Sequence, residues 1–300
     1  FVVGSVIAMV FLAGIPAFFL TFSLYLQIGL GYSALHTGLT TLPFALLSAT
    51  ASGASIRLAP RLGKRILSVG CALLVAGMIG LWLTVNAAGT ALTSYEMIPA
   101  LAVCGMGLGL TVAPLINIIL AGIHAGSAGS ASGVLTTVQQ VGGALGVAVI
   151  GIIFFGQVSG YAPVVAQSSA QTLAARLSAA GVPQPAITAT TKTFTRCFTA
   201  QAASSDPSTT PPGCPAQTTA THCPANPVPP AGAQPGSLST IACVVAPVAT
   251  QAVAQDFDHA FRDSLYFEMA CFGLVFLMVF VLPKPQNLYG PRPGAGGGGH

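Results

Sequence analysis

The stretch IRLAPRLGKR, residues 56–65, decides the fold. It holds Arg57, Arg61, Lys64 and Arg65, four of the five charged side chains in the first 175 residues; the fifth is Glu96. The residues on either side are apolar or small. A water-soluble domain cannot present such a surface, because its exterior needs charge. A membrane protein can, and it collects basic residues in the short loops that stay in the cytoplasm. The basic knot therefore places the chain in a bilayer and orients it.

Composition agrees. Charged residues make up 5% of the 300, against roughly 25% in a typical soluble domain, and the mean hydropathy is +0.78. The net charge of +4 rests on few residues, with no basic stripe interleaved with aromatics, so nucleic acid is not an expected partner. Six apolar windows stand out: 2–27, 37–56, 66–85, 97–120, 131–155 and 264–282. Each is about the length of one bilayer crossing. They are too long and too uniformly apolar for barrel strands, so they read as helices. The expected fold class is an all-α transmembrane six-helix bundle with a long extracytoplasmic loop between helices five and six.

Orientation follows from the knot, which joins the second and third spans and should lie inside. The loops 28–36 and 86–96 carry no Lys or Arg and should lie outside. Both ends of the segment then fall in the cytoplasm, in agreement with Lys284 and Arg292. The expected organisation is helices one to five in 1–156, an extracytoplasmic loop in 157–262, helix six in 263–283 and a Gly-rich disordered tail in 284–300. The expected location is the cell membrane, multi-pass. The chain opens on Phe1 at or inside a span, without a basic leader and cleavage site, and reads as a fragment with more chain upstream.

The 157–262 stretch is polar and rich in Ala, Thr, Ser and Pro. A helix is expected over 164–180 and irregular chain over 204–236. Its basic residues are no objection, since long loops translocate largely regardless of charge. Cys197, Cys214, Cys223 and Cys243 all fall here, while Cys71, Cys104 and Cys271 fall within spans. Four cysteines in an oxidising compartment point to two disulfides, with three connectivities open. A zinc site is the rival reading, but no CxxC pair occurs among them.

Within the spans, Gly105 with Gly109 and Gly142 with Gly146 have the four-residue spacing that lets helices approach closely in lipid. Gln139 and Gln140 lie mid-span, with Thr136 one turn before Gln140. An amide in hydrocarbon needs a partner or a water-filled path, and both readings stay open for these residues and for Asn117. An aromatic belt explains Tyr25 at the end of the first span. Glu268, the one acidic residue placed well inside a span, is a functional-site hypothesis by default. It sits toward the outer end of its span, which favours an interfacial or loop-pairing role over proton coupling. No HExxH, Walker loop, GxSxG or His/Cys cluster occurs in the spans. Enzyme chemistry, a cofactor and a metal are therefore not expected.

Several motifs, taken in order, carry a resemblance. They are GYSALHTGLTTLPF (31–44, with Pro43), Gly105, Gly107, Gly109 and Pro114 in the fourth span, GSASG (129–133) followed by TTVQQVGGALGVAVIG (136–151), and FDHAFRDSL (257–265) with LPK (282–284) around the last span. Together they resemble the C-terminal six helices of the major facilitator superfamily, most closely the fourteen-helix drug:proton antiporters of the EmrB/QacA type. The resemblance covers 1–155 and 255–284. The basic knot is similar to that superfamily's cytoplasmic loop motif, G-x-L-a-D-R-x-G-R-K, carried here by Arg57, Arg61, Gly63, Lys64 and Arg65, but Ile56 replaces the first Gly and Pro60 replaces the Asp.

The resemblance implies a cavity lined by the first, second, fourth and fifth helices, with Phe18, Tyr25, Phe44, Asn117, Thr136, Gln139 and Gln140 as candidate contacts. It also implies proton-driven export of lipophilic, including cationic, small molecules, and a missing N-terminal helical half as the partner across that cavity. The rival readings are a stand-alone six-helix channel or carrier, and a membrane-anchored surface receptor that uses the cysteine-containing loop.

Overall fold

In the computed structural model the described residues are 2–63, 65–121, 128–204, 210–215 and 238–281. They form seven helices: α1 (Val2–Leu24, continued by a π-helical turn, Tyr25–Gly29), α2 (Ala34–Leu62), α3 (Arg65–Ala88), α4 (Ser94–Ala121), α5 (Ala128–Ala179), α6 (Gln184–Ala202) and α7 (Leu238–Val281). Among the described residues five stretches are long and apolar enough to cross a bilayer: Gly4–Gly29, Ala34–Leu58, Arg65–Ala91, Ser94–Asn117 and Gly129–Ala179. The sixth expected span is the C-terminal end of α7 and is not among those five.

The basic knot is mostly helix. α2 runs on to Leu62, so Arg57 and Arg61 stand exposed on its last turns, and α3 begins at Arg65. Gly63, at φ 53°, makes the tight turn between them. Cations at a helix C-terminus oppose the carbonyl end of the helix dipole. Lys64 lies outside the described residues.

Small residues fix how the helices pack. α2 meets α4 where a Cβ on Gly105 would run into the Phe44 carbonyl and one on Gly109 into the Ser48 carbonyl. α3 meets α4 through Gly70, Gly107 and Gly77, the last facing Cys104. α1 meets α5 through Gly142, whose Cβ would sit 2.8 Å from the Met9 carbonyl oxygen, and through Gly146 against Ala13. Without a hydrophobic driving force between helices in lipid, this close backbone approach is what holds pairs together. α7 packs across α1, α3 and α5, and one core runs through the bundle from Ile7 and Phe11 to Phe272 and Val279.

The expected extracytoplasmic loop differs most from its sequence reading. At about 1.5 Å per residue, the 52 residues of α5 span about 78 Å, more than twice a hydrocarbon core of about 30 Å. The helix expected over 164–180 is a continuation of α5, not a separate element. Its buried residues Val158, Ala162, Val165, Ala166, Ser169, Leu173 and Leu177 fall on one helical face, linked by steps of three and four, so the polar stretch is an amphipathic helix. The N-terminal part of α7 rises beside it, and α6 closes a three-helix cap. The cap has a second core of Val165, Leu173, Leu177, Ile187, Phe194, Val244 and Val248. Cys197 and Cys214 form a disulfide, and Cys243 is also disulfide-bonded. Cys223, the tail 284–300 and nearly all of the region expected to be irregular lie outside the described residues; 210–215 makes turns.

Candidate transport site

The predicted contacts divide between two environments. Phe18 and Phe44 are buried, with ring centroids 6.4 Å apart, and pack α1 against α2 with Phe19. Asn117, Thr136 and Gln140 are exposed and Gln139 is half-buried. On α5 the exposed side chains fall on two faces. Val134, Val141, Leu145 and Ile152 form an apolar stripe suited to lipid. Thr136, Gln140 and Ala144 follow one another at four-residue spacing on another face, where the side chains are small or polar. The Thr136 hydroxyl donates back to the Ser132 carbonyl at 2.9 Å, which leaves the Gln140 amide as the free polar group of that face.

Tyr25 departs from both expectations made for it. It is fully buried rather than at an aromatic belt, and it faces α7 rather than an open surface. Its ring stacks on Phe261 at 4.6 Å and its hydroxyl donates to Asp258 Oδ1 at 3.3 Å. Asp258 Oδ2 pairs with Arg262 Nη2 at 2.8 Å, and Arg262 Nη1 donates to Asn86 Oδ1 of α3 at 2.9 Å. Arg262 also reaches His259 Nδ1 at 3.0 Å. Tyr161 of α5 stacks on His259 and donates to Asp263 Oδ2 at 2.8 Å. This seam ties α1, α3 and α5 to α7 where the bundle meets the cap. Sequence reasoning took FDHAFRDSL only as the entry to the last span; the i,i+4 spacing of Asp258 and Arg262 was the available signal.

Two further carboxyls on α7 are buried. Asp256, in the cap-side part of the helix, leaves Oδ1 without a partner, and burial pushes its carboxyl up to about 7. Glu268 is 0% exposed, and among the described residues neither carboxylate oxygen has a hydrogen-bond partner. It lies against Gly14, whose Cβ would stand 3.3 Å from Oε2. Gly14 is near the middle of the Gly4–Gly29 span, so Glu268 sits at mid-depth and not at the outer interface, where the sequence placed it. Counting residues from Ser264 misplaced it because α7 has already run through the cap before it enters the bundle. Among the described residues no group of three His, Cys, Asp or Glu could hold a metal ion.

Residues 1–147 match the model of the Major Facilitator Superfamily. They belong to that superfamily. With the apolar helices of the described residues, the match makes this a multi-pass, all-α membrane protein, of major facilitator type over residues 1–147. It is 38% identical over 181 residues to the "Probable actinorhodin transporter" of Streptomyces coelicolor, covering 59% of this chain and 31% of that one. It is 34% identical to the "Puromycin resistance protein pur8" of Streptomyces alboniger over 49% of this chain and 30% of that one. It is 32% identical to the "Multidrug efflux pump LfrA" of Mycolicibacterium smegmatis over 47% of this chain and 27% of that one. The match thus spans about a third of the length of these curated relatives. No solved structure matches the chain. The matched region contains the knot, the glycine contacts of α2, α3 and α4, and all seven candidate cavity residues. The last helix and most of the cap lie beyond it.

Proposed function

We propose that this chain is the C-terminal six-helix half of a proton-coupled exporter of lipophilic small molecules, of the fourteen-helix antiporter type. It would sit in the cell membrane with both ends of the segment in the cytoplasm. Substrate would bind near the midplane, between this bundle and an N-terminal helical half of the same protein, and rocking of the two would alternate access. The observation that carries the reading is the superfamily match, together with relatives named for antibiotic and drug transport. The exposed small and polar face of α5, with Gln140, and the exposed Asn117 of α4 fit it, since a mostly apolar wall with a few amides suits a lipophilic ligand. Thr136 lies on that face with Gln140, Gln139 is half-buried beside it, and Phe18 and Phe44 are buried between α1 and α2.

The test is efflux by the full-length protein of a panel of lipophilic cations, with and without a protonophore. Gln140→Ala or Asn117→Ala, at unchanged expression, should lower efflux about three- to tenfold, the worth of a hydrogen bond of about 0.5–1.5 kcal/mol. Unchanged efflux in both variants removes the cavity assignment, and efflux insensitive to the protonophore removes proton coupling.

A further inference from the structure

We propose that Glu268 is a proton-binding site of this half, sealed between α7 and the glycine of α1 at mid-membrane, and that its proton is released only when α1 and α7 part. The inference rests on the exporter reading above and names where one coupling proton is held. Glu268 stands on the buried stripe of α7 that runs Phe261, Ser264, Leu265, Glu268, Phe272, Val275 and Val279; the others are apolar except Ser264, whose hydroxyl donates to the Ala260 carbonyl at 2.7 Å. A carboxylate without hydrogen bonds cannot keep its charge among such neighbours at reasonable cost, so the group here is the neutral acid.

The room it occupies is made by Gly14. A Cβ there would also meet Phe272 at 3.0 Å, and Phe272 lies edge-on to Phe11 at 5.7 Å, which closes the site with aromatic rings. Among the described residues no opposite charge compensates. On α1 the titratable group is Tyr25, which is committed to Asp258. On α3, Arg65 is exposed at the far end and Cys71 packs toward Thr111 of α4. On α5, Tyr161 is bonded to Asp263, and Arg176 is far out in the cap. Cys271, one turn along α7, is a free cysteine and carries no positive charge.

The site is thus a two-state device. With α1 packed on α7 the proton is trapped; loss of the proton creates a charge that must reach water, which requires the helices to separate. α1 is suited to such movement, because Pro16, two residues past Gly14, removes a backbone hydrogen bond from the helix interior. Substrate and proton would then compete through the position of α1, the helix that also carries Phe18 and Phe19. The proton moves as H+ between Glu268 and water, and no other bond is made or broken.

The experiment uses the full-length transporter in proteoliposomes. Infrared spectroscopy at neutral pH should show the C=O stretch of a protonated, non-hydrogen-bonded carboxyl, shifted in D2O and lost in Glu268→Gln. In the same vesicles, Glu268→Gln should reduce accumulation driven by a pH gradient about tenfold more than it reduces downhill equilibration, the size of an ordinary coupling free energy. A wild-type minus Glu268→Gln difference spectrum without the band overturns the proposal; taking the difference removes the contribution of the Asp256 carboxyl. So does a variant that accumulates substrate uphill like wild type. If Glu268→Gln does not fold, the proposal is decided on wild type and Glu268→Asp, by whether the band is present and moves with the shortened side chain. Wild-type transport indifferent to the pH gradient overturns the exporter reading itself, and the infrared band separates that failure from this one.

Discussion

Asp256 shows how one buried side chain sets a pH dependence. Its carboxyl lies near 7 in the folded protein because burial penalises the charge. In the unfolded chain it returns to the ordinary value near 4. Between those two values the folded state binds more protons than the unfolded state, so stability is greatest below about pH 4 and falls as pH rises toward 7. The expected outcome is a melting temperature in detergent that declines from pH 5 to pH 8 in wild type and declines less in Asp256→Asn. Equal slopes in the two proteins would show that Asp256 reaches water in the native state.

Between helices, the controlling residues are glycines in contact with a neighbouring backbone. Gly146 of α5 faces the Ala13 carbonyl of α1, and Gly109 of α4 faces Ser48 of α2. A methyl group at either place must push two helices apart along their length, an overpacking cost of about 1–3 kcal/mol. Gly151, five residues along α5, has open space where its Cβ would be. Gly151→Ala should therefore be neutral or stabilising by about 0.5–1 kcal/mol, because alanine suits a helix interior better. Thermal unfolding of Gly146→Ala, Gly109→Ala and Gly151→Ala, side by side, checks the distinction. The four-residue spacing of Gly105 with Gly109 and of Gly142 with Gly146 was legible in the sequence, since small residues at that interval are rare except where helices touch. Gly70 and Gly77 of α3 were not singled out. Their seven-residue spacing carries no such signature until α4 is seen lying against them.

Across the whole molecule, the knot and the cap stand at opposite ends of the bundle. α2 and α3 turn at Gly63, while α5 and α7 leave the bundle at the other end to meet α6. An impermeant amine reagent applied to intact cells should label Lys192 of α6 and should reach Lys64 only after permeabilisation. Labelling of Lys64 in intact cells would invert the topology and, with it, the proposed direction of transport. The cap is stapled by the Cys197–Cys214 disulfide and by the bond of Cys243, which fits the oxidising side of a membrane.

The amino-acid order by itself determined the solvent and the element type. Apolar windows of bilayer length read as helices in hydrocarbon, and four basic residues in nine mark where two of those helices meet. It also carried the superfamily, through glycines and prolines whose spacing is dictated by close packing. What tertiary structure alone decided is where polar residues stop being surface. The stretch after residue 156 has the composition of a loop, but Val158, Val165, Leu173 and Leu177 gain a partner in α7 and so remain one helix. Tyr25 and Glu268 have the sequence positions of interface residues, but a stacked Phe261 and a missing Cβ at Gly14 put both in the core. Hydropathy averages over a window, whereas burial depends on what lies across the helix, and that is a property of the packed chain.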